Sequence, residues 1–331
     1  MELRRLGGSE IFISPIGLGC VTFGREIHEE SSYRILDYAM EQGINWLDTA
    51  EAYGGGNARN YRRKVLGVDD VRETTGDEGS SELIIGRWMK NRGCRDEMVI
   101  CSKVSTGNSP ENVLSAMQGS LERLQIDRVD IYELHSPDDT VPVAESLDAL
   151  ASLVSAGRTD VIGCSNFTVP LLREALNTSA KLGYPRFEVL QPPYSLAAPE
   201  AENELFPLCR EEQIATTTYS PLAAGFLTGK YTPNWDDFPE GSRFHVVPGH
   251  ADIYFNDDNF RMAESLRAKA EELDQPMVRL ALAWAMTNPD VTSVLVGARK
   301  TSQIDNAVEA YNMGLSAEMR EEMSGWGGRS N

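Results

Sequence analysis

The feature that most constrains the fold of this chain is a regular alternation of short β-rich runs and amphipathic, helix-like stretches. Each apolar run is followed by a segment whose hydrophobic residues recur with helical spacing. The runs lie at residues 16–19, 44–48, 98–103, 129–135, 160–165, 187–191, 214–220 and 292–297. The helix-like stretches lie at residues 29–42, 81–92, 110–124, 141–156, 169–182, 199–212, 275–288 and 302–313.

This alternation predicts an α/β fold with a parallel sheet. Near-continuous apolar strands are typical of parallel sheets that are covered on both faces. Eight strand–helix units in one chain favour a closed (β/α)8 TIM barrel over an open sheet. The first residues, LRRLGGSEIFIS, predict a β-hairpin that turns at Gly7 and Gly8, and we expect it to cover the bottom of the barrel. No linker or repeat of whole domains interrupts the pattern, so residues 1–331 are predicted to form a single barrel domain.

Two long loops depart from the regular spacing. The first lies at residues 54–79, after the second strand, and the second lies at residues 223–257, after the seventh strand. Both follow a strand, which places them on the C-terminal face of a barrel, where active sites are built. A further helix-like stretch, 259–273, follows the second loop. The first loop has a mixed-charge run, for which a short solvated helix is the simplest interpretation. Its charged residues are Arg59, Arg62, Arg63, Lys64, Asp69, Asp70 and Glu73.

Charge and composition exclude several classes of partner. The net charge of −19 disfavours nucleic acids and anionic membrane surfaces, which attract basic proteins. The N-terminus lacks an apolar signal core, and no apolar run approaches the ~18 residues of a membrane span. The five cysteines form no C-x-x-C pair, so we predict no metal site and expect reduced thiols in a cytoplasmic protein.

Polar residues end or follow successive predicted strands. Asp48 ends the second strand, Tyr53 follows it, Lys103 ends the third, and His135 ends the fourth. One such residue would more often be a structural capping group, but the C-terminal ends of barrel strands converge on one mouth. Their succession in consecutive units therefore predicts a common site.

The residue types at these positions suit proton transfer to a carbonyl oxygen. A phenol has a reference pKa near 10, and a buried ammonium makes it a stronger acid by favouring the phenolate. Lys103 can supply that charge, with Asp48 to hold it ionised and oriented. His135 can hydrogen-bond the carbonyl oxygen as negative charge develops there. The set supplies no electrons, so a hydride donor must also bind.

Several motifs in their order resemble the aldo-keto reductase superfamily over nearly the whole chain, and in particular its bacterial reductases and potassium-channel β-subunits. They are LDTAEAYG (47–54), the strand-end Lys103, HSPD (135–138), GCSNF (163–167), QPPYS (191–195), YSPLAAGFLTGKY (219–231) and GARKTSQIDNA (297–307). The resemblance implies that Asp48, Tyr53, Lys103 and His135 form a catalytic tetrad.

The resemblance also implies a nicotinamide cofactor and the residues that hold it. The implied cofactor-binding residues are Ser165, Asn166, Gln191, Tyr219, Ser220, Leu222, Gly225, Lys230, Arg243, Gly297, Arg299, Gln303 and Asn306. Arg299 and Lys300 favour a phosphate on the adenosine ribose, so NADP is preferred to NAD. Ala307 stands where many relatives have an asparagine near the adenine, which puts one adenine contact in doubt.

The expected function is therefore the NADPH-dependent reduction of a small-molecule aldehyde or ketone, with sugar-type carbonyls included. One alternative is a cofactor-binding, redox-sensing subunit that turns over slowly on the same fold. Another is a Schiff-base aldolase with Lys103 as nucleophile, which would leave Ser165, Asn166 and Gln191 without a purpose. A Rossmann fold is disfavoured because no G-x-G-x-x-G follows the first strand. The sequence leaves open the substrate, the reaction direction and whether the chain forms a homo-oligomer.

Overall fold

Eight parallel strands close into a barrel in the computed structural model, which describes residues 1–56, 63–64, 67, 75, 77–235, 237–246 and 248–326. The barrel strands are β3 (Ile16–Gly19), β4 (Trp46–Asp48), β5 (Val99–Val104), β6 (Val129–Leu134), β7 (Thr159–Ser165), β8 (Phe187–Gln191), β9 (Ala215–Thr218) and β10 (Ser293–Gly297). Each strand pairs in parallel with the next along the chain, and β10 pairs with β3 to close the ring. The predicted (β/α)8 barrel is confirmed.

Helices follow the barrel strands and cover the outside of the sheet. They are α1 (Glu29–Glu41), α2 (Ser80–Arg92), α3 (Pro110–Leu124), α4 (Val143–Ser155), α5 (Val169–Leu182), α6 (Leu205–Glu211), α7 (Arg243–Val246), α8 (Ala251–Tyr254), α9 (Asp257–Glu272), α10 (Met277–Met286), α11 (Thr301–Met313) and α12 (Ala317–Ser324). Local sequence fixes several of their ends. In α3, for example, the Ser109 side chain accepts a hydrogen bond from the Asn112 N–H and Pro110 occupies the first turn, both typical of a helix N-terminus.

An antiparallel hairpin of β1 (Arg4–Arg5) and β2 (Phe12–Ile13) closes the N-terminal end of the barrel, as the sequence predicts. Leu6 and Ile13 are fully buried against the side chains that fill the barrel interior. The Gly8 N–H donates a hydrogen bond of 2.7 Å to Glu188 at the start of β8. The open mouth is therefore the opposite end of the barrel, where the strands terminate.

The barrel interior is packed closely enough to require a glycine. A Cβ atom at Gly17 would lie 2.2 Å from the Trp46 ring, so β3 must carry glycine where this large indole crosses it. The indole is fully buried and donates a hydrogen bond of 2.9 Å to the Ser293 hydroxyl. All five cysteines are also buried, in the barrel or under its helices.

The structure differs from the sequence prediction mainly from residue 199 onwards. The helix predicted at 199–212 begins only at Leu205, after a 3-10 turn at Glu200–Glu202. The long loop after β9 is largely ordered by an aromatic cluster, in which the Tyr231 and Phe244 rings lie 4.4 Å apart. It contains the 3-10 turns Ala223–Thr228 and Pro248–His250 together with α7 and α8. The final helix α12 was not predicted.

Only part of the first long loop lies within the described residues. Its ends meet, since the Gly55 N–H donates a hydrogen bond of 3.0 Å to the Ser80 hydroxyl. Within the predicted charge run, Arg63 and Lys64 are exposed. The others, Arg59, Arg62, Asp69, Asp70 and Glu73, lie outside the described residues. Among the helices of the described segments, none has both the length and the hydrophobicity needed to cross a bilayer.

Candidate active site

Asp48 and Lys103 form an ion pair at the mouth of the barrel, on the neighbouring strands β4 and β5. The Lys103 Nζ lies 2.5 Å from the Asp48 Oδ1, and both side chains are almost completely shielded from solvent. The ammonium also donates a hydrogen bond of 2.9 Å to the Thr49 carbonyl. Burial lowers the pKa of Lys103, but the surrounding acidic groups, Asp48 first among them, together outweigh burial and raise this pKa well above its usual value. A permanently charged ammonium is thus fixed inside the mouth.

Tyr53 lies above this pair, with its ring centroid 5.1 Å from the Lys103 Nζ. Burial raises the pKa of the phenol well above its usual value, and the Lys103 charge lowers it by less than burial raises it. The sequence predicts that the ammonium makes Tyr53 a stronger acid than a free phenol. That expectation holds for the direction of the Lys103 effect, but the net shift has the opposite sign. Tyr53 therefore keeps its proton at neutral pH and is available as a donor.

His135 completes the group, with its ring edge-on to that of Tyr53 at a centroid distance of 5.5 Å. Burial and the nearby Lys103 lower the pKa of its imidazole to about 3, so the ring is neutral at physiological pH. The Ser105 Oγ lies 2.6 Å from Nδ1. When this hydroxyl donates to Nδ1, the imidazole carries its hydrogen on Nε2, and that N–H can donate to a ligand oxygen. Ser105 was not predicted from the sequence.

Four of the predicted cofactor residues are linked by hydrogen bonds to the tetrad. Gln191, at the end of β8, donates from Nε2 to Asp48 at 2.9 Å. Asn166 donates from its amide to the His135 carbonyl at 2.9 Å and accepts from the Tyr219 hydroxyl at 2.7 Å. The Ser165 hydroxyl donates to the Gln191 carbonyl at 2.8 Å. The structure thus joins the ends of β7, β8 and β9 to the tetrad in one network.

The next predicted group lies in a turn after β9 with unusual backbone angles. Ser220 and Ala224 have φ of 58° and 55°, and Gly225 has φ of 92°. Non-glycine residues adopt this left-handed region seldom, and such strain concentrates at ligand sites. The Leu222 carbonyl accepts from the Gly225 N–H at 2.9 Å and so closes the turn. A Cβ atom at Gly225 would lie 2.9 Å from the Lys230 Nζ, so a glycine lets this cation approach the turn.

The last group lies around the end of β10, where Gly297 terminates the strand. The Gln303 side chain accepts from the backbone N–H groups of Arg299 and Lys300, at 2.7 and 3.2 Å, and thereby caps α11. The Asn306 side chain accepts from Arg279 at 3.0 Å. The guanidinium groups of Arg243 and Arg299 meet at Glu26, a residue that was not predicted.

These residues fit a nicotinamide dinucleotide. Side-chain amides and an aromatic ring lie beside the tetrad, where a hydride must be delivered. The turn at residues 220–225 has the left-handed backbone angles of loops whose N–H groups can bind phosphates. The Lys230 ammonium approaches this turn, and the guanidinium groups of Arg243 and Arg299 meet at Glu26. Amides, a left-handed turn and cations are the groups that suit the nicotinamide, the pyrophosphate and the adenosine ribose of a dinucleotide.

One more titratable group lies inside the barrel beneath the tetrad. Glu133 on β6 is fully enclosed, and neither carboxyl oxygen has a hydrogen-bond partner in the described part of the chain. Burial raises its pKa to about 8, against a smaller lowering by Lys103. Its carboxyl lies in a cluster with Asp48 and the Cys101 thiol whose atoms are within 4.8 Å of one another. An acidic residue inside the apolar run VDIYELH was the sequence signal for it.

Comparison with known proteins agrees with this geometry. The family model described as the aldo/keto reductase family matches residues 15–325. A probable voltage-gated potassium channel subunit beta of Oryza sativa subsp. japonica is 30% identical over 95% of this chain and 92% of its own length. Protein tas of Escherichia coli K12 is 30% identical over 98% of this chain and 96% of its own. The NADH-specific methylglyoxal reductase of the same strain is 30% identical over 98% of both.

Proposed function

Because this chain belongs to the aldo/keto reductase family and is an NAD(P)H-dependent aldo-keto reductase, we propose that it reduces an aldehyde or ketone with Tyr53 as the general acid. The observation that carries the proposal is the buried Asp48–Lys103 pair directly beneath Tyr53. Lysine is the group that can stabilise the phenolate left behind when Tyr53 gives up its proton. Asp48 keeps that lysine charged and in place.

The cofactor supplies a hydride to the carbonyl carbon when it is bound. We propose that Ser165, Asn166 and Gln191 hold its carboxamide and that Tyr219 stacks on its ring. The backbone around Ser220, Leu222 and Gly225 would then receive the pyrophosphate. Lys230, Arg243, Gly297, Arg299, Gln303 and Asn306 would surround the adenosine side, and the arginines favour NADPH over NADH.

The remaining steps use the side chains of the tetrad. The neutral His135 donates an N–H to the carbonyl oxygen and so orients it and stabilises the charge that develops there. The Tyr53 hydroxyl passes its proton to the same oxygen, which becomes the hydroxyl of the product alcohol. The phenolate formed on Tyr53 is then stabilised by the Lys103 ammonium until a proton from solvent restores it. Mass and charge balance, since one hydride and one proton add across the carbonyl.

A second candidate function is a redox-sensing subunit that binds the cofactor and turns over slowly. It is favoured by relatives named as probable potassium channel β-subunits. Both functions use the same fold and cofactor residues. They differ in rate, because a sensing subunit needs no more than a single slow turnover, whereas a reductase must release its product repeatedly.

The test is a panel of aliphatic, aromatic and sugar-type carbonyls assayed with both reduced nucleotides. Methylglyoxal belongs in the panel because one relative is named for its reduction. Loss of absorbance at the reduced nicotinamide band would be followed over many turnovers. Sustained oxidation of the nucleotide with at least one carbonyl supports the reductase. A single turnover per protein with every carbonyl would favour the sensing subunit.

Tyr53→Phe identifies the proton donor. We expect turnover of the best substrate to fall by ~10^2–10^4-fold, because a general acid contributes a factor of that order. Nucleotide affinity should stay within a few-fold of wild type, since the residues proposed to hold the cofactor lie on other strands. Tyr184→Phe is the matched control, because Tyr184 lies after α5 at the opposite end of the barrel and hydrogen-bonds Asp148. Wild-type turnover in Tyr53→Phe would show that the tetrad assignment is wrong.

A further inference from the structure

The Glu26 carboxylate lies within a cluster of arginines that come from three separate segments. Its Oε1 is 2.8 Å from the Arg25 Nη2 and 3.7 Å from the Arg243 Nη1. Its Oε2 is 3.4 Å from the Arg299 Nη1. The Glu26 side chain is only 8% exposed. Guanidinium groups from three parts of the chain thus surround one carboxylate side chain.

The surrounding backbone fixes Glu26 in this position. Its N–H donates a hydrogen bond of 2.8 Å to the Thr22 carbonyl, in the loop between β3 and α1. The Thr22 hydroxyl in turn donates to the Ala298 carbonyl at 3.2 Å, next to Arg299. On the other side, Arg243 donates from Nε to His250 at 3.2 Å. The carboxylate is therefore built into the junction of the loops after β3, β9 and β10.

This position is significant because Arg243 and Arg299 are cations that we propose for the adenosine side of the cofactor. A guanidinium forms the same paired hydrogen bonds with a carboxylate as with a phosphate. The protein thus already carries an anion on the arginines that would receive the additional phosphate of NADPH. NADH has a hydroxyl at that place, and an acidic side chain can accept a hydrogen bond from a ribose hydroxyl.

We propose, on the basis of the proposed function, that Glu26 sets the nucleotide selectivity by acting as an internal counter-ion to Arg243 and Arg299. The ribose phosphate of NADPH must compete with the Glu26 carboxylate for these arginines and is repelled by it. NADH meets no such competition. Glu26 therefore reduces the preference for NADPH that the arginines alone would give.

The decisive variant is Glu26→Gln, which keeps the shape of the side chain and removes its charge. The affinity for NADPH should rise at least about tenfold, the scale of one charge-assisted contact. The affinity for NADH should stay within about threefold of wild type or fall. Dissociation constants would be measured by calorimetry at fixed ionic strength, without any carbonyl substrate. Glu30→Gln is the control, since it removes the same charge at an exposed position on α1, where Glu30 pairs with Arg34.

Binding of cofactor fragments shows whether the change in affinity comes from the 2′-phosphate of the adenosine. Adenosine 2′,5′-bisphosphate should gain affinity in Glu26→Gln by the same factor as NADPH, whereas adenosine 5′-monophosphate should not. Glu26→Asp retains the charge and should keep a selectivity close to wild type. Arg299→Ala should cost NADPH more affinity in the Glu26→Gln background than in wild type, because the arginine is then no longer shared with a carboxylate.

Three other results would contradict either the role proposed for Glu26 or the proposed function. Weaker NADPH binding in Glu26→Gln would show that the carboxylate organises the arginines for the phosphate and would overturn the proposal. An equal gain in Glu30→Gln would show a long-range effect of net charge and would also overturn it. Failure of the wild-type protein to bind either dinucleotide would instead overturn the proposed function, and the inference with it.

Discussion

At the scale of single residues, the decisive feature is an ion pair that water does not reach. Exposed pairs contribute little to stability because solvent competes for both charges. In the Asp48–Lys103 pair the partners are buried together, so each charge depends on the other. Stability and the proposed catalytic role therefore depend on the same pair, and a substitution there should change both.

Lys103→Met tests this coupling. The variant leaves the Asp48 carboxylate buried without its ammonium, which should lower the free energy of unfolding by roughly 3–5 kcal/mol. It should also lower kcat strongly, because the pKa of Tyr53 would rise further and its phenolate would lose its counter-ion. Denaturant unfolding and steady-state kinetics measure the two effects. Unchanged stability together with an unchanged rate would exclude the buried pair.

Asp48→Asn added to Lys103→Met separates the two contributions. If the loss of stability comes from the lone carboxylate, the double variant should recover most of it, because no unpaired charge remains. The double variant should still be inactive, since the ammonium is missing. Recovery of activity would mean that Lys103 has no part in the chemistry.

The sequence predicted that Asp48, Tyr53, Lys103 and His135 lie together, because each residue ends or follows a recognisable strand. Ser105 and Glu26 could not be predicted in the same way. Ser105 matters through its 2.6 Å contact with His135, and Glu26 through contacts with arginines more than 200 positions away. Both depend on which loops the closed barrel brings together. The net pKa of Tyr53 was predicted with the wrong sign because burial, the dominant cause, cannot be estimated from residue type.

At the scale of elements, the local sequence pattern predicted the ends of the barrel strands to within about two residues. It failed where contacts with residues distant in sequence determine where a helix begins or ends. The 3-10 turn at Glu200–Glu202 delays the start of α6. Glu202 there accepts hydrogen bonds from Tyr194, from Asn288 at 3.1 Å and from Arg320 on α12 at 2.5 Å. These partners are up to 118 positions away in sequence. The contact between Arg320 and Glu202 also holds α12 against the barrel. Such contacts between distant residues cannot be read from the local periodicity of the sequence.

The long loop after β4 should govern substrate choice. It follows the strand end that carries Tyr53, and its base is held by the Gly55–Ser80 hydrogen bond. We expect that replacing residues 57–74 by a short Gly-Ser bridge changes the ranking of carbonyls by kcat/KM. NADPH affinity should stay within a few-fold of wild type, because the proposed cofactor residues lie on β7 to β10 and the segments that follow them.

The bridge variant retains Gly55 and Ser80, so the hydrogen bond at the base of the loop is kept. A second bridge that spares residues 57–64 would show whether the basic part of the segment selects anionic carbonyls. If NADPH affinity collapses while the ranking of substrates is kept, the loop belongs to the cofactor clamp and this assignment is wrong.

At the scale of the whole molecule, the barrel interior encloses an acid that the folded protein keeps protonated. The pKa of Glu133 is raised from 4.5 to about 8 by burial. At a pH below the ordinary pKa of 4.5, the Glu133 carboxyl carries its proton in both the folded and the unfolded chain. Between these two pH values the unfolded chain loses a proton that the folded chain keeps. The free energy of unfolding should therefore fall as pH rises through this window and level off above it.

Glu133→Gln should remove this contribution. The variant should gain stability relative to wild type as the pH rises from 5 to 8, by about 3–5 kcal/mol in total at roughly 1.4 kcal/mol per pKa unit. Urea unfolding at several pH values measures the difference. Glu41→Gln, which removes an exposed carboxylate, is the control. A difference that stays constant over this range would mean that Glu133 does not hold its proton in the folded barrel.

The burial of every cysteine has a practical consequence for labelling. Burial raises the pKa of the thiols of Cys20, Cys94, Cys101, Cys164 and Cys209, the last to about 12. Maleimide dyes react with exposed thiolates, so the native chain should be nearly inert to them. A cysteine introduced at Leu182, which is 46% exposed at the end of α5, would then take up the dye selectively. A fluorescent reporter can be placed on this protein without first removing its own thiols.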